Sequence, residues 1–196
     1  MEAKRILFTG VGGQGTLLAS RLLGEAVMAE GMDVRVSEVH GMAQRGGVVE
    51  STVILDGLQS PIISDGEADV LVSFEPLECM RAASKCSASS LVITSISPVE
   101  PFTVKLGAAS YPDIDAWLEK AEKSFARLYA VDAESMAREA GTVKAVNIVL
   151  LGILVGTGVV PVTADRIRQT IQEKVKPAFV EANLKAFEAG FEKGRE

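Results

Sequence analysis

The sequence predicts an α/β fold, a mostly parallel sheet with helices on both faces, and three observations carry that prediction. Short apolar runs of strand character alternate with amphipathic helical patterns, the order that builds parallel sheets. Apolar residues make up 47% of the 196 residues and aromatics only 5%, so the core is expected to be aliphatic, as in strands buried on both faces. A glycine-rich turn, Thr9-Gly10-Val11-Gly12-Gly13-Gln14-Gly15-Thr16, joins the first apolar run to the first helical pattern. The expected architecture is therefore three-layer and Rossmann-like, in one domain covering 1–196, with a helical C-terminal part from about 143 to 196.

The elements follow in order. Lys4 to Val11 reads as the first strand, and Gln14 to Gly31 as a helix whose apolar face is Leu17, Leu18, Leu22, Ala26 and Val27. Asp33 to Val39 alternates valine with polar residues and reads as the second strand. Gly41 to Gly47 is a glycine-rich loop, and Val48 to Asp56 a third strand closed by the Asp56-Gly57 turn signal. Pro61-Ile62-Ile63 reads as a short extended piece. Asp69 to Phe74 is a compact buried strand, and Pro76 opens a helix at its first turn. Ser90 to Ile96 is another buried strand, and Phe102 to Leu106 reads as a short one within an irregular stretch. Asp113 to Ser124 is helical, Arg127 to Asp132 a strand, and Ala133 to Ala140 a helix stopped by Gly141. Val143 to Val155 is an almost unbroken apolar helix. Thr163 is placed to cap a helix over Ala164 to Val175, and Pro177 starts a last helix reaching Gly190 or beyond.

Composition removes several classes of function. A net charge of −6 disfavours nucleic acid as the main partner. No run of about 18 residues is free of charged or polar breaks, so no membrane span is expected. Met1-Glu2-Ala3-Lys4-Arg5 runs straight into a strand, leaving no room for a signal peptide, and the expected location is cytoplasmic. Cys79 and Cys86 fall in one helical pattern, on one face two turns apart, too far for a disulfide. Two sulfurs also fall short of the four that usually hold an iron–sulfur cluster, so no metal site is expected in this chain.

The glycine loop has the spacing G-x-G-x-x-G at Gly10, Gly12 and Gly15. Strand, glycine turn and helix together leave backbone N–H groups open at the positive end of a helix, where an anion is favoured. Gly12, Gly13 and Gly15 would expose amides and Gln14 would add a side-chain donor, so a phosphate, pyrophosphate or carboxylate is the expected guest. Glu38, near the end of the second strand, keeps an NAD- or FAD-binding dehydrogenase domain open as the alternative reading, because that fold places an acid there for the ribose. The same glycines also suit close strand–helix packing alone, and that reading stays open.

A second loop, His40-Gly41-Met42-Ala43-Gln44-Arg45-Gly46-Gly47, leaves the second strand at the carboxyl edge, where open α/β sheets bind ligands. Arg45 offers a forked cation for phosphate or carboxylate. His40, the chain's one histidine, could donate or accept a proton, although a lone histidine is more often structural than catalytic. Arg45 equally suits a surface ion pair with Glu38 or Glu50. Gly46 and its neighbours let the loop fold closely. No residue is singled out as catalytic.

Three further stretches add to these loops: Ala68 to Glu78, reading ADVLVSFEPLE, Asn147 to Gly152, reading NIVLLG, and Asn183 to Gly190 in the last helix. Together they resemble the gamma-type subunits of the 2-oxoacid:ferredoxin oxidoreductases, most of all the small subunits of the indolepyruvate branch, over nearly the whole chain. Glu38 to Gly47 is the more specific of the two loop motifs. The resemblance implies a subunit of an oxidoreductase acting on an oxo group with an iron–sulfur protein as acceptor. Such enzymes oxidatively decarboxylate a 2-oxoacid on thiamine diphosphate, pass electrons through iron–sulfur clusters to ferredoxin, and give the acyl group to coenzyme A. In the indolepyruvate branch it implies arylpyruvates as substrates, and a large partner subunit that carries the thiamine diphosphate and the clusters. It further implies that Gly12, Gly13, Gln14, Gly15, Arg45, His40 and Gly46 contribute to an anion or coenzyme A pocket, in a chain not active alone.

Among the other polar residues, Asn147 interrupts an apolar helix and is expected to bond a loop or the partner, since a buried amide needs partners. Glu75 follows a buried strand at the carboxyl edge and reads as a solvated or helix-capping carboxylate. Tyr111 and Trp117 read as packing residues.

Overall fold

Six strands form one sheet in the order β2-β3-β1-β4-β5-β6. They are β1 (Lys4–Val11), β2 (Val34–His40), β3 (Val48–Leu55), β4 (Ala68–Ser73), β5 (Cys86–Ser95) and β6 (Arg127–Val131). The helices are α1 (Thr16–Ala29), α2 (Pro76–Ala82), α3 (Phe102–Lys105), α4 (Ile114–Ser124), α5 (Ala133–Glu139), α6 (Val146–Gly156), α7 (Ala164–Lys174) and α8 (Pro177–Arg195). This computed structural model describes residues 3–40, 47–57 and 60–196, with His40 described by its backbone alone.

Strands β1, β4, β5 and β6 run parallel, as the alternation of strands and helices predicts. β3 is the exception: it lies antiparallel to both β1 and β2. It is inserted between them as the return arm of a hairpin, so β2 runs with β1 but two places away. The period-2 pattern of each strand sorts its side chains onto the two faces. Ile6, Phe8, Val53, Leu55, Val70, Val72, Leu91 and Ile93 meet the layer of α1 and α5 to α8. Leu7, Ile54, Leu71 and Val92 face the other way, into a smaller cluster with Cys79 and Ala82 of α2 and Trp117 of α4.

Local chemistry sets the helix starts. Glu75, Asp113, Asp132 and Thr163 each accept a backbone N–H from the first turn of α2, α4, α5 and α7. Three expectations need correction. Phe102–Lys105 is a helical turn, not a strand: Pro101 carbonyl accepts the amides of Val104 and Lys105, and the open side of β5 is already taken by β6. Cys86 does not share a helix with Cys79, because a 3₁₀ turn at Ala83–Lys85 ends the helix and Cys86 pairs with Ala68 as the first residue of β5. Val143–Ala145 is also 3₁₀, started by Thr142, and the α-helix begins only at Val146.

The C-terminal helices close the larger core. α6 is buried along almost its whole length, and α8 lies directly on it. Gly152 and Gly156 of α6 face Gly190 and Gly194 of α8 so closely that a Cβ on any of them meets backbone: at Gly190 it lies 2.9 Å from the Val149 carbonyl carbon, and at Gly156 3.0 Å from the Gly194 Cα. Arg168 ties α7 to α8, its Nε and Nη2 donating to Glu188 at 2.6 and 2.9 Å.

Candidate functional site

A cleft of about 620 Å3 opens at the carboxyl ends of β1, β4 and β5. From β1 the chain departs toward β2, on one side, while β4 lies on the other, so this is the crevice where open α/β sheets take ligands. The glycine loop forms one wall through Gly13, Gln14 and Gly15, followed by Leu18 of α1. Phe74, Ser95, Ser97 and Val99 follow β4 and β5, while Val143, Lys144, Val146 and Asn147 stand at the start of α6.

The loop is held open by named contacts. Gly13 and Gly15 have φ of +103° and +82°, the left-handed region where glycine carries no Cβ penalty. Gln14 braces the turn: its Oε1 accepts Val11 N–H at 2.8 Å and its Nε2 donates to the Phe74 carbonyl at 2.9 Å. The Gln14 side chain is thus committed first to joining the ends of β1 and β4, with one amide proton left over. Gly15 caps α1 without a side chain, and its carbonyl accepts Asn147 Nδ2 at 3.1 Å. Among the described residues, no protein acceptor meets the amides of Gly13, Gly15 and Thr16. Gly13 and Gly15 line the cleft, so their amides are donors beside it at a positive helix end, whereas Thr16 is buried. Asn147 is 2% exposed and its Oδ1 has no partner among the described residues.

Gly47, which ends the second loop, is brought to the first loop by β3. Val11 pairs with Val48, and Gly12 N–H donates to the Gly47 carbonyl at 2.9 Å. His40 ends β2 opposite Val49. Arg45 and Gly46 lie outside the described residues, as does the side chain of His40. Glu38 is engaged by Arg21, whose Nε lies 3.1 Å from its Oε1. Since β3 intervenes, Glu38 is two strand spacings from β1, about 10 Å, which removes it from the place a ribose-binding acid would take beside the glycine loop.

Glu75 organises the far rim. It is 1% exposed, not solvated, and its carboxylate accepts Glu78 N–H at 2.9 Å, Val99 N–H at 3.2 Å and the Tyr111 hydroxyl. These bonds pin the segment after β5 against the cleft at Val99. Burial, then the Glu75 carboxylate, pushes the Tyr111 phenol up, so it stays a donor at neutral pH. Burial likewise raises the Glu78 carboxyl, with Arg81 at 2.6 Å working against it.

The same rim shows what the sequence reading missed. Lys144 and the serines Ser95 and Ser97 line the cleft, although no motif marks them. Among the described residues no group of His, Cys, Asp and Glu is arranged to hold a metal. Cys79 is fully buried and Cys86 partly so; both are free, and burial pushes them up to about 12 and about 11. The chain's residues therefore do not fit an iron–sulfur cluster.

The sequence and the fold are both similar to those of known proteins. A family model described as pyruvate ferredoxin/flavodoxin oxidoreductase matches residues 5–193. The chain is 39% identical over 198 residues to the indolepyruvate oxidoreductase subunit IorB of Pyrococcus horikoshii, covering 100% of this chain and 98% of that one. Its fold matches the gamma subunit of a keto/oxoacid ferredoxin oxidoreductase from Geobacter sulfurreducens with a TM-score of 0.71 at 28% identity, over 98% of each chain. It also matches part of the 2-oxoglutarate:ferredoxin oxidoreductase from Magnetococcus marinus, TM-score 0.73, covering all of this chain and 31% of that one. At 16% identity this last likeness is one of fold alone.

Proposed function

The chain belongs to the pyruvate ferredoxin/flavodoxin oxidoreductase family, and from that membership we propose its work: it is a non-autonomous subunit of an indolepyruvate:ferredoxin oxidoreductase that forms part of the coenzyme A crevice. The observation that carries this reading is the end-to-end match to an indolepyruvate oxidoreductase subunit, IorB, of nearly the same length. The proposed overall reaction takes an arylpyruvate and coenzyme A to arylacetyl-CoA and carbon dioxide, its electrons leaving to ferredoxin. Thiamine diphosphate and the iron–sulfur clusters supply the decarboxylation and the electron path, and both are assigned to a large partner subunit. Two free cysteines, one fully buried, support that assignment. The complex is placed in the cytoplasm, and no helix among the described residues is long and apolar enough to cross a membrane.

This chain's own share is binding. Open amides at Gly13 and Gly15 offer charge-assisted donors to an anionic group, and Gln14 keeps them apart by joining β1 to β4. Gly12 holds Gly47, and Arg45, His40 and Gly46 are assigned to the same anion pocket from their place just before Gly47 in the sequence. Leu18, Phe74, Val99, Val143 and Val146 give the cleft an apolar wall for a ligand's uncharged arm. Coenzyme A has both parts. The orphaned Asn147 Oδ1 beside Gly15 is an acceptor waiting for an N–H or O–H donor, which suits an amide-bearing arm.

The test is co-expression with the large subunit, followed by indolepyruvate-dependent reduction of ferredoxin or a viologen dye. Activity is expected only from the co-purified pair and only with coenzyme A present. Decarboxylation of a keto acid or reduction of a nicotinamide by this chain alone overturns the proposal.

A further inference from the structure

Lys144 is the one cation among the described residues that line the cleft. It sits on the 3₁₀ turn Val143–Ala145, where Thr142 Oγ1 accepts its amide at 3.3 Å, and it makes no ion pair among the described residues. The other charged residue of the lining, Glu134, is occupied by Arg138 at 2.6 Å. Three residues further along, Asn147 grips the Gly15 carbonyl, so the backbone that carries Lys144 is fastened to the glycine loop. The chain as a whole carries a net charge of −6, which repels an anion until it reaches a local positive field. The open amides and Lys144 belong to one cleft, which they share with apolar lining residues, and together they supply that field.

We propose that Lys144 is the residue by which this cleft selects a phosphate-bearing acyl carrier over its phosphate-free arm, with the ammonium contacting a ligand phosphate while the glycine-loop amides hold another anionic oxygen. This rests on the coenzyme A reading of the cleft. A compact, strongly hydrated point charge on a flexible stem suits a phosphate whose oxygens present no fixed fork. The role is in binding and selection; no bond of the substrate changes at Lys144.

The experiment uses the complex with its large subunit and non-reactive desulfo-coenzyme A, with affinity read by isothermal titration. Lys144→Gln is expected to weaken that ligand roughly ten-fold and to flatten its salt dependence, as loss of one charge-assisted contact does. Lys144→Arg retains most of the affinity, and pantetheine, which has no phosphate, binds wild type and Lys144→Gln alike. Leu18→Asp, at a half-exposed wall position, places a carboxylate in the cleft and serves as the blocking control. If Leu18→Asp weakens desulfo-coenzyme A and Lys144→Gln does not, the assignment of Lys144 is overturned and the coenzyme reading stands. Equal weakening of both ligands by Lys144→Gln also overturns it, since the effect is then one of shape. If neither variant weakens desulfo-coenzyme A, or the wild-type complex does not bind it, the coenzyme reading of this cleft falls and the Lys144 assignment with it.

Discussion

Gly190→Ala is the sharpest test of how the C-terminal helices are packed. Helix propensity alone predicts a gain of about 1 kcal/mol, because alanine is the better helix former. The structure predicts the reverse. An added Cβ would lie 2.9 Å from the Val149 carbonyl carbon and 3.1 Å from the Ile153 nitrogen, both backbone atoms of α6. Carbon–carbon contacts are optimal near 3.5–4.0 Å, so the helices must separate by about 1 Å. A gap of that size forfeits a quarter to a half of each contact along the seam. No side chain lies at the clash to rotate away, so the cost falls at the upper end for overpacking, about 3 kcal/mol. For a chain of this size that is a fall in Tm of about 6–12 °C. Thermal unfolding of the purified chain followed by circular dichroism reads it directly. Glu192→Ala, on the exposed side of the same helix, should stay within about 0.5 kcal/mol of wild type. A Gly190→Ala protein that melts at or above the wild-type temperature would refute the reasoning.

Two other predictions concern the cleft and the thiols. Gln14→Ala leaves Val11 N–H and the Phe74 carbonyl without their partner and is expected to destabilise the chain by about 2 kcal/mol, read as a lower denaturant midpoint at unchanged slope; an unshifted midpoint means the brace contributes nothing. At pH 8, with Cys79 and Cys86 pushed up to about 12 and about 11 by burial, the thiolate fractions are about 1 in 10,000 and 1 in 1,000. A disulfide reagent should therefore label neither in the native chain within minutes and both after denaturation, whereas rapid native labelling of Cys79 would contradict its burial.

Much of the fold was legible because its signals are local. β1 covers the expected Lys4–Val11, built around the apolar run Ile6–Phe8, and Thr163 caps its helix because a hydroxyl before a helical pattern satisfies an orphan amide whatever surrounds it. Glu75 was legible as a cap but not as the clasp for Val99 and Tyr111, since those partners are distant in sequence. The hairpin of β2 and β3 had a signal that the alternation of elements obscured. A connection as short as 41–47 cannot hold a parallel crossover, which needs a dozen residues or more. The glycine loop was visible from its spacing, and Asn147 as a polar break in an apolar helix, bonding a loop as expected. Lys144 was not visible: its place on the cleft wall depends on α6 crossing to the carboxyl edge of β1, β4 and β5, which no short stretch of sequence encodes.

The seam between α6 and α8 has a mechanical consequence. Most helix pairs meet through a layer of side chains that absorbs small displacements by changing rotamer. Here main chain rests on main chain at Gly152, Gly156, Gly190 and Gly194, and that cushion is missing. A displacement of α8 is therefore expected to pass directly to α6, whose first turn carries Asn147, the residue that holds Gly15. Whatever takes hold of the last helix therefore has its hand on the glycine loop as well.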